Sequence, residues 1–230
     1  AELYRYRGRM EDYQQALDDA TRRLQSSWGS SSQQEYLLTA GRIAELRGED
    51  PKRILSTTYK LVIDNWPSYT PVYVAAGNLA RSKGSYALAA GYYEDALERV
   101  ADDQAALAGL AACYWESRDE RLDAVLEALA VINPNHFDAT ALHVEMFLDS
   151  GNTKDALERI DAMLAINPVH TRFHALKAAA HFLDDDLDAM RAVQQEALAF
   201  NPHAAEVYRI PGRVASRHYR FKEGADFQRQ

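Results

Sequence analysis

The chain has 230 residues, with 26 Lys and Arg against 34 Asp and Glu and a formal charge of −8. That balance argues against nucleic acid or an anionic membrane as the main partner, since both are gripped chiefly through an excess of Lys and Arg. The chain is 47% hydrophobic with only 7 Pro and 11 Gly, enough for a long helical core, and its single cysteine, Cys113, excludes an internal disulfide.

In chain order, Leu3 to Gly8 reads as the tail of a helix, and Asp12-Tyr13-Gln14-Gln15-Ala16-Leu17 opens another that runs to about Ser26. A Ser-rich loop follows to Ser32, broken by Trp28 and Gly29. Two aligned helices come next: Tyr36-Leu37, Ala40-Gly41, Ala44 and Gly48 match Tyr73-Val74, Ala76-Gly77, Ala80 and Gly84, most of them at an offset of 36. The small residues Gly41/Ala44 and Gly77/Ala80 lie on one helix face and let a neighbour approach closely. Gly48 and Gly84 are expected to supply a left-handed turn at the helix end. After Gly84, the apolar positions Ala89, Tyr93, Ala96 and Leu97 have amphipathic-helix spacing.

The second half is punctuated by Asn133-Pro134, Asn167-Pro168 and Asn201-Pro202, each 34 residues after the last. Counting back two such steps from Asn133 lands on Asn65, in Asn65-Trp66-Pro67. A fixed period in this range is the mark of a repeat array. In this reading the Asn ends a second helix, and the Pro opens the next unit because it cannot continue the last.

These residues resemble the tetratricopeptide repeat, a helix–turn–helix unit of small residues, a turn Gly, then Ala, an aromatic and Ala along the second helix. Gly77, Gly84, Tyr86, Ala89, Tyr93 and Ala96 carry the pattern most fully. Gly151, Ala156 and Pro168 carry it later, and Gly8, Tyr13 and Ala16 in the first unit. Two units depart from it: Arg118-Asp119 replaces the turn Gly in the unit at 104–134, and Asp184-Asp185-Asp186 replaces it in the unit at 170–202. The resemblance implies an all-α solenoid of about six hairpins with a right-handed superhelix. Its units fall at 1–31, 32–67, 70–103, 104–134, 136–168 and 170–202, with a partial unit at 203–230. Stacking neighbours buries what a single hairpin cannot.

The array begins and stops inside a helical unit without a polar cap, so more protein is expected on both sides. Its concave face, lined by first helices, is expected to bind a protein or peptide partner. Arg42, Asn78, Arg81 and Glu145 are the polar candidates there, and Tyr73, Tyr114 and Trp115 are either anchors or core. Arg209, Arg213 and Arg217, with Arg220 and Lys222, form a basic stripe that is either a docking patch or a solvated face. The stretch Gly212 to Arg229 also resembles a segment of large bacterial repeat proteins in which similar repeats precede a gluzincin-type peptidase domain. That resemblance implies a non-catalytic accessory region which positions substrate for a downstream domain.

No catalytic or cofactor motif stands out. His-Glu-x-x-His, a P-loop, a Gly-x-Ser-x-Gly elbow and a Cys-x-x-Cys pair are all absent. His170, His174 and His181 fall near one helix stripe, with His143 one repeat earlier, but no acidic residue stands at a clear ligand spacing beside them. They are expected to cap or pack rather than hold a metal. Cys113, between Ala112 and Tyr114, reads as a small buried hydrophobe. No apolar run reaches the roughly 18 residues that cross a bilayer, and no signal peptide is evident.

Overall fold

A computed structural model describes Tyr4 and residues 9–27 and 32–229. The expected helix tail at Leu3 to Gly8, the turn residue Gly8, and Trp28 and Gly29 of the Ser-rich loop lie outside the described residues, apart from Tyr4. The described residues form thirteen helices and no strand, counting the continuous run 51–65 as one helix. They divide into two compact units between Pro134 and Asn135.

The first unit holds α1 (Met10–Ser26), α2 (Gln33–Leu46), α3 (51–65), α4 (Thr70–Ser82), α5 (Tyr86–Leu97), α6 (Gln104–Ser117) and α7 (Leu122–Ile132). The second holds α8 (Phe137–Asp149), α9 (Thr153–Ile166), α10 (Thr171–Leu183), α11 (Leu187–Phe200), α12 (Glu206–Arg217) and α13 (Phe221–Gln228). Within each unit a helix packs on the next in sequence, and first helices also touch one hairpin on: α2 with α4, α4 with α6, α8 with α10, and α10 with α12. None of the described helices is long and apolar enough to cross a membrane.

Each hairpin turns through one left-handed residue at the end of its first helix. Gly48, Gly84 and Gly151 have φ of 77°, 73° and 75°. Arg118, Asp185 and Tyr219 take the same conformation at 54°, 59° and 60°, although a Cβ there crowds the following carbonyl. The turn geometry therefore persists where the glycine has been lost, including at the two units that depart from the repeat pattern. At the other end of each hairpin, Asn133, Asn167 and Asn201 sit in the extended region that a following proline enforces. The Asn133 side-chain amide donates to Gln104 at 3.2 Å and that of Asn201 to Thr171 at 3.5 Å, tying each second helix back to the start of its own first helix.

Between these limits, one knob from the second helix fills the space that small residues leave. Tyr93 is fully buried, and a Cβ built on Gly77 or Gly109 would lie 2.7 Å or 2.3 Å from its ring. The two glycines thus let α4 and α6 close on one aromatic from α5. Tyr59 fills the same role against Gly41, where a Cβ would meet its ring at 2.3 Å. It reaches that place from further along its chain, eleven residues after Gly48 against nine from Gly84 to Tyr93. One extra residue is taken up before α3 starts at Pro51, and the π-wound stretch Ile54–Tyr59 takes up the other.

In the second unit, the residues nine after Gly151 and Asp185 are Ile160 and Gln194. Ile160 is a plain apolar knob inside the core built from Val144, Phe173, Leu176, Val207 and Ile210. Gln194 is polar yet only 6% exposed, and its amide donates to the Val207 carbonyl at 2.9 Å. Pro211 explains that bond. It lies inside α12, four residues after Val207, and has no N–H to give that carbonyl. Gln194 supplies the missing donor from the facing helix.

Two outcomes are expected in chemical denaturation of the full chain. Gln194→Leu should cost about 1–3 kcal/mol because it orphans a buried carbonyl. The same change in a Pro211→Ala background should cost about half as much or less, since an alanine there would bring its own N–H. Equal costs in the two backgrounds would show that the bond does not compensate the proline. Arg118→Gly should stabilise by about 1 kcal/mol by removing the left-handed Cβ crowding.

Candidate functional site

On the first unit, Arg42 and Asn78 each follow the glycine that contacts a knob tyrosine, and Arg81 lies one turn beyond Asn78. Helical geometry places all three beside the tyrosine hydroxyls, at the rim where the core meets solvent. Asn78 is exposed and its side-chain oxygen accepts from the Tyr93 hydroxyl at 2.8 Å. Burial pushes Tyr93 up to about 12, while the Arg81 guanidinium pulls the other way. The Tyr59 hydroxyl donates to Glu45, and burial followed by this carboxylate raises its pKa strongly. The positive charge of Arg42 acts on both Tyr59 and Tyr69. A cleft of about 510 Å³ opens on the same unit, lined by Arg23, Glu35, Tyr36, Leu38, Thr39 and Tyr69 among others. The first unit thus combines exposed cationic and amide groups on α2 and α4 with a partly aromatic cleft.

Glu145 occupies the position equivalent to Asn78, each eleven residues after its unit's proline, Pro134 and Pro67. Its setting differs completely. The carboxyl side chain is only 4% exposed, and guanidiniums from two further first helices meet it. Arg172 Nη2 is 3.2 Å and Arg213 Nη2 2.8 Å from Oε1, and Arg217 Nη1 is 3.9 Å from Oε2. Arg172 also reaches Asp138 at 2.9 Å, and Arg217 reaches Asp149 at 3.3 Å. A buried carboxylate is tolerated only when it is compensated in this way. Arg213 is itself eleven residues after Pro202, and Ala179 holds the same position after Pro168. Ala179 has no long side chain to block the reach from α12 across α10 to α8.

The remaining arginines of the stripe are placed separately. Arg209 pairs with Glu206 on its own helix at 3.4 Å and stays exposed. Arg220 lies over the Phe182 ring at 4.0 Å and bonds Asp185 at 2.9 Å, pinning one hairpin turn to the preceding one. The structure therefore gathers Arg213 and Arg217 around Glu145 and leaves Arg209 and Arg220 apart from them. Arg172 completes that cluster. Sequence reasoning missed it because a lone arginine at a helix start carries no periodic signal.

The aromatic and histidine candidates are mostly core. Tyr73 is buried, donates to the Pro67 carbonyl at 3.0 Å and lies under the Arg99 guanidinium. Tyr114 is buried with its hydroxyl on Glu94 at 2.6 Å, and Trp115 is half-buried beside it. His174 repeats the Tyr73 role, with Nε2 2.7 Å from the Pro168 carbonyl. His170 stacks on Phe137 at 4.8 Å and meets Phe173 edge-on. His181 is half-buried on the same helix. No group of three or more His, Cys, Asp or Glu that could hold a metal occurs among the described residues. Cys113 is buried, and burial pushes its thiol up to about 11, away from reactivity.

No protein-family model and no curated protein sequence matches the chain. Solved structures do. A tetratricopeptide repeat protein from Parabacteroides merdae is similar over 98% of this chain and 89% of its own, at 14% identity and a TM-score of 0.67. A thermophilic TPR protein of Thermus thermophilus is similar over 69% and 87%, at 18% identity and a TM-score of 0.56. YrrB, described as a TPR protein with an unusual peptide-binding site, is similar over 74% and 88%, at 16% identity and a TM-score of 0.50. The fold is the tetratricopeptide-repeat solenoid.

Burial is the main cause of a lowered pKa at His170; its own backbone opposes this, the positive charge of Arg172 lowers the value further, and Glu206 and Asp138 raise it. The folded state thus prefers the neutral ring, and the unfolded chain binds the proton more readily. Stability from this residue is complete above the ordinary value of 6.5 and is lost as pH falls through that value towards the folded one. Denaturation between pH 8 and pH 5 should show this loss, and His170→Gln should make the slope shallower. An unchanged slope would remove His170 from the effect.

Proposed function

We propose that the chain is a protein- or peptide-binding scaffold whose contact surface is the first-helix face of α2 and α4. The observation that carries this reading is the exposure of Arg42, Asn78 and Arg81 on a rigid, glycine-close-packed frame, beside a cleft lined by Tyr36 and Tyr69. Support also comes from the likeness to YrrB, a repeat protein described as having a peptide-binding site. The mechanism is display. Asn78 is held in place by Tyr93, so little ordering cost remains when a ligand arrives.

The chemistry favours an extended peptide with at least one acidic group. Arg42 and Arg81 offer guanidinium forks suited to a carboxylate, and the Asn78 amide still has its two N–H donors. The aromatic cleft would take an apolar side chain of the same peptide. Peptides selected against the full chain from a random library should be enriched in Asp or Glu beside a large apolar residue. Their affinity should fall about tenfold or more for the Asn78→Ala/Arg81→Ala variant, as expected for charge-assisted hydrogen bonds worth roughly 1.5–3 kcal/mol. Selected peptides that bind the double variant as well as the parent would reject this surface.

A further inference from the structure

Helix α7 is apolar almost all round but is buried on one side only. Nine of its eleven residues are Ala, Val, Leu or Ile, the exceptions being Asp123 and Glu127. A helix of this composition is normally covered on more than one side. Here Leu122, Leu126 and Leu129 are buried, on the stripe that packs against α6. The opposite stripe is Ala124, Ala128 and Val131, all exposed, with Val131 82% open to solvent. The equivalent helices differ at these positions. One repeat on, Glu158 stands where α7 has Ala124, and two repeats on, Glu196 stands where it has Ala128. Helices α9 and α11 also carry exposed bases, Lys154, Arg159 and Arg191, whereas α7 has none.

The charge around this face is far from balanced. Residues 94–127 hold ten Asp and Glu against three Arg, so −7 of the chain's −8 falls in this stretch. Two of the arginines are already engaged: Arg99 lies over the Tyr73 ring at 4.1 Å, and Arg121 is held by Glu94 at 3.0 Å and Asp119 at 2.8 Å. Asp123 and Glu127 are exposed one turn apart beside the apolar stripe, with Glu120 in the turn before them.

We propose that the outer face of α7 docks an amphipathic helix of a protein partner, one whose apolar stripe is edged by Lys or Arg. Ala124 and Ala128 are small and four residues apart, so a partner helix can come close, and Val131 and Ile132 add apolar bulk at one end. Bases along the edge of the incoming helix meet Asp123, Glu127 and Glu120. A second copy of this chain is the poorer occupant, because a two-fold contact through α7 sets the same acidic stretch against itself. The site lies on a second helix and takes the opposite charge to the surface on α2 and α4, so either can hold without the other.

The test uses the full chain and two synthetic helices of about four turns. One is built of Leu and Lys with Leu at the spacing of an apolar stripe, and the other of Leu and Glu in the same pattern. In calorimetry at low salt the Leu/Lys helix should bind and the Leu/Glu helix should not. Asp123→Asn/Glu127→Gln should weaken the Leu/Lys helix about fivefold, as expected for two exposed charge pairs. Ala124→Gln/Val131→Gln keeps every charge and should weaken it about tenfold by removing the apolar contact. Asp188→Asn, which removes an exposed acid on α11, should leave the affinity unchanged. All the substituted side chains are exposed, so each variant should keep the parent's melting curve. Failure of the Leu/Lys helix to bind the parent would overturn the proposal. So would an affinity indifferent to Ala124→Gln/Val131→Gln, which would mean general attraction to an acidic chain. A dimer of the parent in sedimentation that the same variant dissolves would assign the face to a second copy instead.

Discussion

The first unit depends on the contact of one tyrosine with two glycines. Tyr93 occupies the volume that side chains at Gly77 and Gly109 would need, so α4, α5 and α6 are fixed at a single separation. Dense packing of this kind does not deform continuously. Asn78, the exposed residue that follows Gly77, inherits that rigidity and is held at the edge of the core by the Tyr93 hydroxyl. The π-wound turn in α3 has the same origin. Two additional residues would have rotated Tyr59 off Gly41, and a longer link plus one wide turn restore the contact.

The second unit keeps the spacing but changes the chemistry at the knob position. Where two hairpins of the first unit use Tyr59 and Tyr93, two of this one use Ile160 and then Gln194. A glutamine would be costly in a core without a partner. Pro211 provides that partner by orphaning the Val207 carbonyl. Taken separately, a buried glutamine and a proline inside a helix each break a local rule. Together they leave no unsatisfied group at that place, and a helix interrupted by proline keeps its hydrogen-bond complement.

The repeat architecture was legible in the sequence because it rests on residues with few alternatives. Asn-Pro pairs at a fixed period mark helix ends, and glycines mark the turns and close approaches. The left-handed turns at Arg118, Asp185 and Tyr219 were less visible, since no residue type announces that conformation when glycine is absent. The period still located them. The surface was harder. Glu145 reads as a groove residue when only its own helix is considered, and its burial is decided by side chains 27, 68 and 72 residues further on. One clue was present: Glu145, Ala179 and Arg213 hold the same register, a negative residue and a positive one with a small residue between them. Arg172 and Arg217 lie off that register, so spacing alone does not reveal them.

The same register position therefore has opposite fates in the two units, and the neighbours one repeat away decide which. In the first unit Asn78 meets a tyrosine hydroxyl from its own hairpin, a neutral partner that leaves its amide donors facing solvent. In the second, Glu145 meets cations from two other hairpins, and their side chains close over it. A position whose partner is local stays exposed, as Asn78 does. A position whose partner comes from a later repeat is spent on joining repeats. Which first-helix residues stay exposed thus depends on the side chains that later repeats bring to them, both on the 34-residue register and off it.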